Sequence, residues 1–364
     1  MLNVKKFGLK SGRLSATVMD YGANLLELFV PDKDGKLRDV VLGYENIDDY
    51  EKNDPGYGCS VIPFANRIGN AKFTLNGKEY TLDRNDGENN LHSGFSPLHH
   101  KTWDVMESTE NSITFSIEKK DMECGMPGNI RVSVTYLLTD NALHITYRAV
   151  SDSDAIFNPT NHSYFNLDGH DAGRESALFA KVMINADEFT VTDNASIPTG
   201  EIGKVDGTPM DLRTPRPLSE DVDSDFEQLK IAGGYDNNYI IKKDKPTDEF
   251  NAKKTLYLAA SMESEKSGIK MEVFTDLPGI QLYCGNYIPD KQETGKGGVK
   301  YERRGGVAFE SQYYPNAINI PKFPQPVIKA GEEFVSDTVY KFSYHDIEGP
   351  EDRLDLSELI LPQI

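Results

Sequence analysis

Cysteine is scarce in this chain of 364 residues, with only Cys59, Cys124 and Cys284. Three cannot all pair, and none sits in a C-x-x-C arrangement. That fits a reducing compartment, so a cytoplasmic protein is expected, and it disfavours a structural zinc site. Long apolar runs are missing as well. Nothing approaches the roughly 18 residues of a membrane-spanning helix. Met1 to Gly12 carries lysines but no apolar core, so no signal peptide is expected. Basic residues are outnumbered, 39 Lys and Arg against 58 Asp and Glu, for a formal net charge of −19. Nucleic acid and anionic membranes need basic patches, so neither is an expected partner. The same sign disfavours a highly phosphorylated substrate, and most of the charge reads as solvated surface. There is no glycine-rich phosphate loop and no metal-ligand spacing, so no cofactor and no metal are expected. His99 and His100 are adjacent and would point to opposite faces of a strand, which makes a chelate there improbable.

Hydrophobic residues at 38% and charged residues at 27% are ordinary for a soluble protein with a sizeable core. Alternation of period 2 dominates. Ile113, Phe115 and Ile117 alternate with polar residues, as do Ile130, Val132, Val134 and Tyr136, and Leu143, Ile145 and Tyr147. These read as antiparallel strands with one packed and one wet face, which leaves His144 on a wet face. Asp34-Gly35 and Asn76-Gly77 read as hairpin turns. Helical signals are thin: Glu45–Tyr50 and Ser219–Leu229, the second with Ser219 as N-cap. The length admits two average domains, yet no linker or repeat breaks the strand pattern. The expectation is an all-β protein, a single large antiparallel β-sandwich over residues 1–345. An acidic tail of unknown role follows over 346–364, where Leu354, Leu356, Leu359 and Ile360 could form an amphipathic turn.

One stretch fits neither period: Asn158-Pro159-Thr160-Asn161-His162-Ser163-Tyr164-Phe165-Asn166-Leu167. Its plain reading is a buried turn in which His162 satisfies a backbone carbonyl. Glu310, in an otherwise apolar and aromatic segment, also stands out, because burying a carboxylate is costly without a partner or a task. Asn161 and Asn194 begin glycosylation sequons on paper; a glycan at Asn161 would block any site there.

The Asn161-to-Leu167 run closely resembles the signature of the galactose mutarotase (aldose 1-epimerase) family. Four further segments resemble it in the same order: Pro63–Asn70, Asn90-Leu91-His92-Ser93-Gly94, Gly234-Tyr235-Asp236-Asn237-Asn238, and Val307–Ala317 around Glu310. Weaker echoes occur at Pro127-Gly128, Thr208–Arg213 and Pro278–Tyr283. The resemblance runs from about Gly22 to Phe342. This chain has Ser93 where the family usually has glycine, Pro159 where leucine is frequent, and Asn237 where histidine is frequent.

What the resemblance implies is a galactose mutarotase-like supersandwich that interconverts the α and β anomers of free aldohexoses such as galactose and glucose. It implies Glu310 as base, His162 as acid, and His92 as a partner near the ring oxygen. Arg67 and Asp236 would grip hydroxyls, with Asn66 and Gln281 adding polar contacts. The expected enzyme is an isomerase acting on a small free sugar, as a monomer or homodimer. The chemistry suits those residue types: ring opening needs a proton on the ring oxygen while one leaves the C1 hydroxyl, a task for two positioned proton carriers. Alternatives remain: a non-catalytic carbohydrate-binding protein on the same fold, a hexose-6-phosphate 1-epimerase, or a glycosidase using Asp236 and Glu310 as paired carboxylates.

Overall fold

The computed structural model describes residues 3–247, 249–250, 252–290 and 295–344. The segment 346–364, with its expected amphipathic turn, lies outside the described residues. The alternating segments are strands, and each ladder between named strands is antiparallel. Ile113 and Phe115, then Ile130 to Leu138 at every second position, are buried while their neighbours are not. Ten strands form the largest sheet. Its path runs Asp104–Ser108, Ser112–Lys119, Ile130–Leu138, Ala142–Ser151, Glu333–Tyr344, Ile269–Thr275, Leu256–Glu263, Lys181–Ile184 and Arg216–Pro217, with Pro246–Thr247 beside Leu256–Glu263.

A six-stranded sheet faces it, in the order Tyr164–Phe165, Val307–Gln312, Gly279–Tyr283, Asp236–Ile240, Glu188–Thr192 and Pro198–Lys204. The two sheets share one core: Val134, Ile145 and Tyr340 from the first meet Tyr239, Leu282, Val307 and Phe309 from the second. Tyr340 Oη donates to the Phe309 carbonyl at 3.1 Å, so even the polar tip of that ring finds a partner between the layers. This is a sheet-on-sheet sandwich. A four-stranded sheet built from Lys6–Ser11, Leu14–Met19, Asn24–Pro31 and Leu37–Asp39 joins the same core through Leu9, Ala16, Leu25 and Leu28, with Phe7 edge-on to Phe115.

Both turn signals hold. Asn76 and Gly77 adopt φ of 52° and 78° between paired strands Lys72–Leu75 and Lys78–Thr81, as a primed hairpin requires. Asp34-Gly35 lies in the turn joining Asn24–Pro31 to Leu37–Asp39. The helical expectations fare unevenly. The first becomes a 3-10 turn, Ile47–Glu51. Ser219 is no N-cap: it sits inside a 3-10 turn, Leu218–Glu220, and the α-helix begins later, at Glu227–Ala232, after Phe226. Leu218 and Val222 are buried and hold the intervening aspartate-rich turn against the core, which delays the helix. A short helix, Gly173–Phe179, had no signal in the sequence reading. His144 is half-buried beside Phe250, ring centroids 5.2 Å apart, so its face is less wet than expected. Among the described residues no helix is long and apolar enough to cross a membrane.

Candidate active site

All ten residues of Asn158–Leu167 are buried. The stretch crosses between sheets, which is why it follows no period: Thr160–Asn161 pairs with Ser60–Val61, and Tyr164–Phe165 pairs with Val307–Ala308. His162 sits at the crossing. The Asn161 side-chain oxygen accepts hydrogen bonds from Ser163 N (3.1 Å) and Ser163 Oγ (2.6 Å), a local turn that presents His162 to a cavity. The imidazole does not cap a carbonyl: Nδ1 is buried without a partner among the described residues, and Nε2 lies 3.7 Å from Glu310 Oε1. The Asn161 amide is itself buried and bonded to the Gly58 carbonyl, leaving no room for a glycan in the folded protein.

Glu310 reaches the same place by strand alternation. On Val307–Gln312, Val307 and Phe309 enter the core between the sheets, so Glu310 faces the other way. Cross-strand register puts Asn238, Gln281 and Glu310 in one row and Asp236 and Tyr283 in the next, making the outer face of the six-stranded sheet polar. Loops cover that face, and Glu310 is only 2% exposed.

The covering loops bring Arg67 and His92. Arg67–Ile68 pairs with Asn90–Leu91, setting the two residues side by side. The backbone turns sharply here, with left-handed φ at Asn66 (63°), His92 (49°) and Ser93 (72°). Ser93 explains its own departure from glycine. Its hydroxyl accepts from Phe64 N at 2.8 Å and donates to Phe64 O at 3.0 Å, offsetting a conformation that glycine would adopt freely. Asn66 N donates to His92 Nδ1 at 3.1 Å, which leaves the ring proton of neutral His92 on Nε2, where it can donate. Arg67 Nε holds Asp86 at 2.7 Å, and Nη1 lies 3.7 Å from Asp236 Oδ2.

The structure thus gathers Asn66, Arg67, His92, His162, Asp236 and Glu310 around one cavity of about 880 Å³. Gln281 is not in its lining. Its amide donates to Asp236 Oδ1 at 2.6 Å and its carbonyl accepts from Gln312 at 3.1 Å, so it supports Asp236 from behind. His99 and His100 correct the sequence reading. They lie in a 3-10 turn, Leu98–His100, not a strand, with rings 4.8 Å apart, and both line the cavity. Pro97 at the turn's start is the signal that would have placed them there. Also unforeseen were Asp86, the exposed rim aromatics Phe95 and Tyr287, and the inner wall of Tyr164 and Tyr283 beside His162.

Burial decides the proton affinities. It pulls His162 down to about 4 and holds His92 well below the usual imidazole value, with the neighbouring histidines and Arg67 adding to the second effect. Burial pushes Glu310 well above the usual carboxylate value; Asp236 adds to that and Arg67 opposes it. Lowering the imidazole and raising the carboxylate reverses their usual order, so a single proton shared by the pair rests on Glu310, and handing it to His162 costs free energy. The arrangement can take a proton from one oxygen and give one to another when both oxygens lie on a single carbon.

His92, His162 and Glu310 also offer one ligand atom each, all within 4.8 Å, the only such group among the described residues. The His162–Glu310 pair, at 3.7 Å, is wider than the about 3.3 Å between ligands of a tetrahedral zinc ion, so these side chains would have to close around a metal.

The family profile described as aldose 1-epimerase matches residues 5–341. The chain is 38% identical to the galactose mutarotase of Sus scrofa over 340 residues, covering 93% of this chain and 94% of that one. It is 33% identical to the aldose 1-epimerase of Escherichia coli K12 over 329 residues, 90% and 91% of the two chains. The crystal structure of an aldose epimerase homologue from C. elegans matches with a TM-score of 0.83 at 32% identity, over 94% of this chain and 100% of the other.

Proposed function

The chain belongs to the aldose 1-epimerase family, and from that premise we propose that it interconverts the anomers of free aldohexoses such as galactose and glucose, with Glu310 as base and His162 as acid. The observation that carries this reading is the buried pair itself, His162 Nε2 and Glu310 Oε1 at 3.7 Å. The C1 hydroxyl and the ring oxygen of a pyranose share one carbon, so an acid and a base must lie close together to serve both. Glu310 takes the hydroxyl proton while His162 protonates the ring oxygen, to which His92 Nε2 donates a hydrogen bond. The C1–O5 bond breaks, the open aldehyde rotates about C1–C2, and closure on the other face runs the same transfers in reverse. Arg67 and Asp236 hold hydroxyls, and Tyr164 and Tyr283 wall the ring.

The cavity's charges favour a neutral sugar over a phosphorylated one. Besides the protonated His162–Glu310 pair, the carboxyl groups of Glu51, Asp54, Asp86 and Asp236 face it, against the cations Lys52 and Arg67. Arg303 and Arg304 bind the Gly233 carbonyl, with Arg304 also on Asp223, and neither lines the cavity. The same reading treats residues 1–345 as one domain with a tail after it, in a cytoplasmic monomer or homodimer. The three unpaired thiols fit that compartment.

The direct experiment is a polarimeter trace of freshly dissolved α-galactose and α-glucose, with and without the protein. Rotation relaxing no faster than in buffer would leave the carbohydrate-binding module as the better reading. A pH profile tests the assigned pair. The working form carries one proton on the two groups. It is lost below about pH 4, where His162 takes up a second proton, and lost again as pH rises through the raised value of Glu310. We expect kcat/KM to be level through neutrality with a fall on each side, after extrapolation to zero buffer. A profile level from strong acid to strong alkali counts against the pair. Arg67→Ala should weaken grip: kcat/KM is expected to fall about 10- to 100-fold, mostly through KM. A fall confined to kcat would move Arg67 out of the binding role.

A further inference from the structure

We propose that Asp86 is a positioning residue for sugar recognition, holding the Arg67 guanidinium off Asp236 so that both groups stay open to the ligand. The inference rests on the reading of Arg67 and Asp236 as the sugar's hydroxyl-binding pair.

An arginine beside a carboxylate away from water normally closes to about 2.7–2.9 Å, because attraction is strong where the dielectric is low. Arg67 does so with Asp86, through Nε at 2.7 Å. Its separation from Asp236 is 3.7 Å, beyond a hydrogen bond, although both side chains are nearly buried. Asp236 is held on its other side by Gln281, which bonds Oδ1 at 2.6 Å and leaves Oδ2 facing the guanidinium. The two groups are therefore tethered from opposite directions. A guanidinium carries five donors. Among the described residues only Asp86 takes one in a hydrogen bond. The donors toward the cavity and Asp236 Oδ2 remain available. Without the Asp86 tether the guanidinium would swing onto Asp236 and form a paired fork. A sugar would then have to break a hydrogen-bonded fork in place of the looser ion pair at 3.7 Å before binding.

The loop bearing Asp86 does not depend on its carboxylate. Asn85 and Leu91 exchange two hydrogen bonds of 2.8 Å, and the backbones of Asp86 and Asn89 bond each other at 3.2 and 3.0 Å. The Asp86 side chain is 34% exposed. Substitution should leave the fold intact.

The test compares wild type, Asp86→Ala, Asp86→Glu, Arg67→Ala and the Arg67→Ala/Asp86→Ala double variant in initial-rate mutarotation of α-galactose. Asp86→Ala should raise KM about tenfold with kcat within about twofold, and Asp86→Glu should recover most of the loss. In the double variant the second substitution should add nothing, since no guanidinium remains to be held. A crystal structure of Asp86→Ala should show Arg67 within hydrogen-bond distance of Asp236. The inference is overturned by an unchanged KM in Asp86→Ala, by a full additional loss in the double variant, or by Arg67 keeping its 3.7 Å separation. If Arg67→Ala raises KM while Asp86→Ala does not, only the positioning role fails. If Arg67→Ala leaves KM unchanged, the sugar-binding reading of Arg67 fails, and the inference with it.

Discussion

Glu310→Gln is expected to slow anomer interconversion by about 10²- to 10⁴-fold in kcat, the usual worth of a positioned general base. Glutamine keeps the shape and reach of the side chain but cannot accept the C1 proton. Sugar affinity should change little, because Arg67 and Asp236 remain in place. Folding should not suffer either. The site is 2% exposed and burial already disfavours the charged carboxylate, so a neutral amide of equal size fits it. Polarimetry with the buffer rate subtracted gives the turnover, and a thermal melt shows whether the variant is folded. Wild-type turnover in a folded Glu310→Gln protein would remove Glu310 from the mechanism while leaving the family membership untouched.

The second large effect lies far from the chemistry. Lys119→Met should destabilise the protein by about 3–5 kcal/mol, through buried carbonyls left without donors at about 1–3 kcal/mol each. Lys119 is fully buried, and its ammonium donates to the carbonyls of Met126 (2.7 Å), Lys120 (2.9 Å) and Gly128 (2.9 Å). Burial lowers its proton affinity to about 8, which still leaves it mostly charged at neutral pH. The loop it gathers braces the cavity wall: Glu123 pairs with Lys101, and Cys124 Sγ contacts the Ser96 carbonyl. A urea titration measures the loss. A midpoint within error of wild type would mean that water replaces the ammonium without cost, and the loop's anchor would have to be sought elsewhere.

Lys119 also shows what the sequence could and could not tell. Ile113, Phe115 and Ile117 mark the inward phase of their strand, and Lys119 continues it by two. The phase was legible; that a lysine would obey it was not, because its partners are carbonyls of a loop with no pattern of its own. The strands, both hairpins and the sandwich could be read because alternation is a local property. Asn158–Leu167 could be read only by resemblance, since its geometry is set by pairing with segments about 100 and 140 residues away. Asp86 was invisible for a related reason. Its partner, Arg67, stands 19 residues earlier, and an aspartate beside glycine in a turn looks like any other. Gln281 was noticed, but only the cross-strand register shows that its amide is committed to Asp236.

The order of strands in the ten-stranded sheet sets a schedule for synthesis. Glu333–Tyr344, the latest of its strands in the chain, lies between Ala142–Ser151 and Ile269–Thr275. As the chain leaves the ribosome, two part-sheets can form early, each presenting an unpaired edge where the missing strand belongs. Neither can join the other until residue 344 has emerged. Such edges invite pairing with neighbouring chains, so the nascent protein is most exposed to aggregation late in its synthesis. A messenger truncated before codon 333 should yield insoluble product.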